Sequence, residues 1–273
     1  MTSKIDGAMY DLHHIDALAS RDTGINRIYP PVKLMVTVMY IALVMSFSKY
    51  DIAGLAGMFV YPAAMFILGD ISFRDTLRRI RAVLPLICII GIFNPLLDRS
   101  VVQIGAFAVR GGAVSMATLI LKGFYTVLAA YLLAATCSAE RICLALEILH
   151  VPKMIVTQIM LMYRYIFLFL GEVGRISQAY ALRAPGQKGI HFKAWGALVG
   201  QLLLRSIDRA GRVYESMLLR GFNGSFSVFR QKERLRLRDA AFGLFWAAVL
   251  ILFRSVPVVV EVGNAVTASF GAR

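Results

Sequence analysis

The sequence predicts an all-α, polytopic membrane protein with about five transmembrane helices and a set of long cytoplasmic helices. Hydrophobic residues make up 58% of the 273 and the mean hydropathy is +0.67, well above the 45 to 50% apolar content of soluble domains. Lys and Arg outnumber Asp and Glu by 30 to 16, and they lie between apolar segments instead of forming one patch. That is the positive-inside pattern of a membrane protein, and it excludes a nucleic-acid-binding surface.

Residues 1–30 read as a cytoplasmic tail. Asp6, Asp11, Asp16 and Asp22 precede any apolar run, so no cleavable signal peptide is expected and the first apolar segment stays in the mature chain. Residues 31–136 hold four spans, judged against the roughly 20 apolar residues that cross a bilayer. Val32 to Phe47 follows Pro30 and Pro31, and Ile52 to Leu68 follows the polar turn Ser48–Asp51, so the two form a helical hairpin. Residues 72–83 form an amphipathic helix with Phe73, Leu77, Ile80 and Val83 on one side and four arginines on the other, suited to the cytoplasmic membrane interface. Leu84 to Leu97 is short, and its Pro85 and Pro95 should break or tilt it. Gly112 to Thr136 carries Lys122 inside the apolar run, a charge that requires a partner within the protein or a path to the interface.

Residues 137–239 should be cytoplasmic, and residues 240–273 contain the last span, Ala240 to about Val260. Between Glu172 and Arg238 there are thirteen basic residues against four acidic ones. This count puts the N terminus inside and the C terminus outside, with Ser48–Asp51 and Arg99–Arg110 on the outer side. Within the cytoplasmic region, Met154 to Leu170 is itself very apolar. Lys153 and Arg175 flank it with charges of one sign, which points to a long helix packed along the interface in place of a sixth span.

Two stretches in this region echo each other. Arg175 is followed eight residues later by Arg183 in Leu182-Arg183-Ala184, and Arg212 eight residues later by Arg220 in Leu219-Arg220-Gly221. Eight helical residues leave each arginine pair about 80° apart around the axis. Helix-ending chemistry follows both, Pro185-Gly186 in one and Gly221 with Asn223-Gly224 in the other. A single arginine at a helix C terminus is explained by the macrodipole. The equal spacing of two suits a partner with two similar acidic pockets, since the guanidinium fork binds carboxylates bidentately.

With these residues in view, the chain resembles the transmembrane T component of energy-coupling factor (ECF) transporters, specifically the cobalt-type CbiQ family. The resemblance runs through HHIDALASRD and IYPPVKL near the N terminus, LEILHVPK (146–153), MYRYIFLFLGEVGRI (162–176) and RSIDRAGRVYESMLLRGFNG (205–224). The family's two coupling signatures centre on Ala-Arg-Gly. Here leucine stands for the first alanine in both, and alanine for the glycine in the first.

The resemblance implies a subunit of the bacterial cytoplasmic membrane whose Leu182, Arg183, Ala184, Leu219, Arg220 and Gly221, supported by Arg175 and Arg212, dock into two cytosolic ATP-binding-cassette ATPases. It also implies a substrate-binding, metal-binding CbiM-like membrane subunit, with room for a small accessory membrane subunit. For that contact the Met- and aromatic-rich run offers Met154, Met160, Met162, Tyr163, Arg164 and Phe167. ATP and magnesium belong to the ATPases, and this chain is expected to bind no cofactor. The cargo the resemblance favours is cobalt, with nickel or a vitamin as alternatives.

The remaining motifs point away from chemistry in the chain itself. It has no G-x-x-x-x-G-K-[ST] phosphate loop, and it is not expected to be an enzyme. His13 and His14 with Asp11 and Asp16 resemble a metal cluster, but they fall on the tail and are not expected to ligate. His150 and His191 read as interface residues. Cys88, Cys137 and Cys143 are odd in number and read as packing residues. A membrane-embedded lipid-modifying enzyme would need acidic or histidine clusters at the surface. A stand-alone carrier would need ionisable residues in several spans, and only Lys122, Arg164 and Arg254 are candidates.

Overall fold

The computed structural model describes residues 7, 10, 16–21, 23–81, 83–97, 101–104, 107–187, 189–224 and 235–255. In order, the helices are α1 (Pro30–Ser46), α2 (Ile52–Gly57), α3 (Val60–Gly69), α4 (Phe73–Ile80), α5 (Leu84–Leu97), α6 (Gly111–Thr136), α7 (Ala139–Ile148), α8 (Lys153–Arg183), α9 (Phe192–Leu219) and α10 (Leu237–Ser255). Two strands, β1 (Val101–Ile104) and β2 (Phe107–Arg110), intervene between α5 and α6. The chain forms two compact units, Ala19–Cys137 with Arg234–Arg273, and the described part of Met1–Leu18 with Ser138–Glu233.

The first unit is a helical bundle whose charged residues are spent on helix ends. Lys33, near the start of α1 and 1% exposed, donates from Nζ to the carbonyl of Thr136, the last residue of α6 (2.7 Å). Lys122, midway along α6, donates in return to Phe47 (2.6 Å) and Met45 (3.3 Å) at the C-terminal end of α1. The two helices are therefore antiparallel, and each gives the other's orphan carbonyls a cation. This is how the charge inside the fourth apolar segment is accommodated.

At the opposite polarity stands Asp239, 5% exposed on the first turn of α10. One carboxylate oxygen accepts from the Arg236 N–H (3.1 Å), capping α10, and the other from the Tyr29 N–H (3.3 Å) ahead of α1. A single acid thus serves the N-terminal ends of two parallel helices. Those ends approach closely, because a Cβ on Gly243 would lie 2.9 Å from Val32 Cγ1. At the far end Arg254 of α10 reaches the Ser46 carbonyl (3.4 Å) and lies over the Phe47 ring. The core between α1, α3 and α10 is aromatic. Tyr40 and Tyr61 pack at 4.6 Å and Tyr61 meets Trp246 edge-on at 5.1 Å, all three buried.

Three differences from the sequence expectation have local causes. The second apolar segment is two helices, α2 and α3, not one. Pro62 has no N–H for the carbonyl of Met58, and the Tyr40 hydroxyl donates to that carbonyl instead (3.1 Å). The third segment is one unbroken helix. Pro85 stands in its first turn, where an N–H has no intrahelical partner anyway, and Pro95 stands in its last. The outer stretch Arg99–Arg110 contains an antiparallel hairpin, with Val101 opposite Arg110 and Ile104 opposite Phe107. Valine, isoleucine and phenylalanine on either side of a Gly-Ala pair supply the β-propensity. The last helix ends at Ser255 among the described residues, and the remainder of the expected span, 256–260, lies outside them.

Three apolar stretches are long enough to cross a membrane, Ile52–Gly69, Gly111–Thr136 and Lys153–Arg183, and Pro30–Ser46 and Leu84–Phe93 are shorter apolar helices. The fold is that of an all-α membrane protein, apart from the hairpin. Met154–Leu170, expected to lie along the interface, belongs to a 31-residue helix with the length and composition of a span. Of the four apolar residues expected on one face of the 72–83 helix, only Ile80 is buried, beside Thr76; Phe73, Leu77 and Val83 stay exposed.

Candidate functional site: two arginine-tipped helices

The second unit is built on α7, α8 and α9. Ser138 caps α7 by accepting from the Arg141 N–H (3.4 Å), a contribution of about 1 kcal/mol. α7 ends with His150 in the left-handed region (φ 64), where Val151 N–H bonds back to Leu146 and His150 N–H to Glu147. That is the Schellman pattern. His191 caps α9, its Nδ1 accepting from the Lys193 N–H (3.3 Å). Both histidines, read as interface residues in the sequence, serve helix ends.

α8 and α9 are long and little buried. α9 has no buried residue and α8 only Val156, Thr157 and Ser177. They meet where Leu168, Phe169 and Glu172 face Leu202, Arg205, Arg209 and Arg212 around a cavity of about 220 Å³. Glu172 holds this place, pairing with Arg205 of α9 and with Arg175 one turn along its own helix (2.7 Å). Glu172 lies beyond the apolar run Met154–Leu170. The Arg205 guanidinium first, then that of Arg175, holds its carboxyl below the usual carboxylate range.

From this brace the helices run on to their tips. Arg183 stands eleven residues past Glu172 and Arg220 fifteen past Arg205, about 17 and 22 Å of helix. Both arginines are exposed, and the leucines before them, Leu182 and Leu219, are 84% and 90% exposed. Each tip thus presents a nearly bare leucine beside an exposed cation.

The tips end differently. After Arg220, Gly221 takes φ +79 and closes a Schellman motif, with Phe222 N–H bonding to Met217 (3.0 Å) and Gly221 N–H to Leu218 (2.9 Å). After Arg183, Ala184 keeps φ −126 and the left-handed position falls to Gly186 (φ +88). Glycine is therefore required at the second tip and dispensable at the first, which is where the sequence has alanine. The loop after Arg183 is tied by the Tyr180 hydroxyl, which donates to Gln187 (2.9 Å) and accepts from the His191 N–H (3.3 Å).

The other candidate residues divide. Arg175 is engaged in the brace, and Arg212 lines the cavity between α8 and α9. Met154 and Met162 face outward, 76% and 65% exposed, with Ile155, Ile159 and Ile166. Met160, Tyr163, Arg164 and Phe167 line a cavity of about 250 Å³ with Glu140 and Cys143 of α7, and Tyr163 meets Phe167 edge-on at 5.6 Å. The cysteines are free thiols. Among the described residues, no group of three or more His, Cys, Asp or Glu side chains could hold a metal ion; His13, His14 and Asp11 lie outside them. Sequence reasoning missed Glu172, whose signal was a lone acid three residues before Arg175 in a strongly basic stretch.

The sequence model of the CbiQ family, described as cobalt transport protein, matches residues 22–232, a stretch holding the whole brace and both tips. The chain belongs to the CbiQ family. This CbiQ chain is also 32% identical over 130 residues to an uncharacterized protein of Methanocaldococcus jannaschii, the match taking in 45% of this chain and 44% of that relative's length.

Proposed function

We propose that this CbiQ chain is the coupling subunit of an ECF-type importer for cobalt ions. It passes ATP-driven movement of two cytosolic ATPases to a substrate-binding membrane subunit. The observation that carries this reading is the pair of exposed Leu-Arg tips, Leu182-Arg183 and Leu219-Arg220, on two helices joined by Glu172. Each tip offers a guanidinium fork for an acidic groove and a leucine for an apolar floor. Ala184 and Gly221 leave room for close approach. Two ATPases closing on ATP would carry the tips with them, and α8 and α9, being stiff helices, would move as levers.

The outward apolar side of α8, with Met154 and Met162, is the surface for the substrate-binding subunit, while Met160, Tyr163, Arg164 and Phe167 back it from the α7 side. The excess of basic residues between Glu172 and Arg238 supports the orientation with the N terminus inside the cytoplasmic membrane. ATP and magnesium act on the ATPases.

The test is co-purification. Arg183→Glu and Arg220→Glu should each weaken recovery of the ATPases with the membrane subunit, and the double variant should abolish cobalt uptake while still inserting in the membrane. Normal ATPase recovery and uptake by the double variant would rule the reading out.

A further inference from the structure

The chain passes between its two units at three places, Leu18–Ala19, Cys137–Ser138 and Glu233–Arg234. On the bundle side, one eight-residue segment, Asn26–Lys33, bonds to the chain beside the first two and to Asp239, five residues past the third. Asn26, 5% exposed, donates from Nδ2 to the carbonyls of Ala19 (3.2 Å) and Arg21 (2.8 Å), fixing the first passage. Lys33 donates to the carbonyl of Thr136, immediately before the second. The Tyr29 N–H donates to Asp239, which also caps α10.

The segment is suited to bear load. Pro30 and Pro31 set the backbone at the start of α1 and remove two of the N–H groups that a helix start leaves unpaired. Asn26, Lys33, Thr136 and Asp239 are all at most 5% exposed, and the Asn26–Ala19 and Lys33–Thr136 bonds are buried, shielded from competing water.

We propose that Asn26–Lys33 is a fixed collar through which movement of the α7–α9 unit enters the membrane helices, with Asn26, Lys33 and Asp239 as positioning residues for transport. None of them touches an ATPase-docking tip. Because one segment holds the chain beside two passages and the start of α10, a displacement at either passage is delivered to α1, α6 and α10 together. Freeing one passage lets that displacement dissipate as local movement of the chain. This inference rests on the coupling reading above.

The experiment uses the complete transporter in proteoliposomes, with Co²⁺ as the transported probe. Lys33→Met should retain the ATPases and their ATP hydrolysis while Co²⁺ uptake falls about tenfold, and Lys33→Arg, which keeps a cation within reach of Thr136, should recover most of the uptake. Uptake at the wild-type rate by Lys33→Met, with ATPases bound, would overturn the collar. So would equal loss of uptake in Lys33→Met and Lys33→Arg. If Lys33→Met fails to accumulate in membranes, Asn26→Ala is read in the same way: uptake lost with ATPases retained supports the collar, and unchanged uptake overturns it. Failure of the wild-type chain to retain ATPases would instead be a failure of the coupling reading.

Discussion

Glu172 on α8 pairs with Arg205 on α9, and this ion pair joins the two helices whose ends carry Arg183 and Arg220. The pair sits beside the cavity where Leu168 and Phe169 of α8 face Leu202 of α9, so it braces the two helices against each other.

Glu172→Gln should therefore leave folding almost unchanged, because exposed ion pairs add little stability, yet reduce cobalt uptake about fivefold by loosening the tips. The pair also has a pH signature. The carboxyl is held below its ordinary range, so the brace is fully present above the unfolded carboxylate pKa and is lost as pH falls through the depressed folded value. The protection of α9 amides relative to their intrinsic exchange should accordingly be flat from neutral to mildly acidic pH and fall only below the ordinary carboxylate range, and Glu172→Gln should remove that dependence.

The two tips should respond unequally to small substitutions. Gly221 sits at φ +79, so Gly221→Ala should cost about 1 kcal/mol at the end of α9 and weaken ATPase retention through Arg220. Ala184→Gly, at φ −126, should leave retention at the wild-type level. Pull-down with the ATPases, run on both variants together, checks the asymmetry.

His150→Gly should raise stability. The residue holds φ 64 as the left-handed cap of α7, a conformation that strains a side-chain-bearing residue by about 1 to 2 kcal/mol and glycine hardly at all. A thermal-shift measurement in detergent should show an increase, with ATPase binding unchanged.

Tyr40→Phe isolates the break between α2 and α3. Removing the hydroxyl leaves the Met58 carbonyl without a donor, since Pro62 cannot supply one, and should lower stability by about 1 to 3 kcal/mol. Pro62→Ala in the same background should restore part of it by returning the helical N–H, which thermal unfolding of the three variants measures.

The apolar segments, the amphipathic α4 and both tips were legible in the sequence because each depends on local spacing, hydropathy or helix-ending residues. What was not legible depends on partners far apart in the chain. Lys33 reads as one basic residue after Pro-Pro until Thr136, 103 positions on, is seen to accept from it. Asp239 reads as part of a charged linker until it caps two helices. Glu172 reads as one of four acids until Arg205 meets it. The break at Met58–Phe59 depends on Tyr40, which is on another helix. Gly221, by contrast, read as helix-ending in the sequence and takes the positive φ of that role.

The most direct test of the central claim is ATPase recovery with the Arg183→Glu, Arg220→Glu double variant, purified from membranes beside the wild type and an Arg175→Glu, Arg212→Glu control. If the tips couple, the tip variant inserts normally but loses both the ATPases and cobalt uptake, while the control, altered in the brace and cavity, keeps a substantial share of the ATPases. Wild-type ATPase recovery by the tip variant would contradict the account.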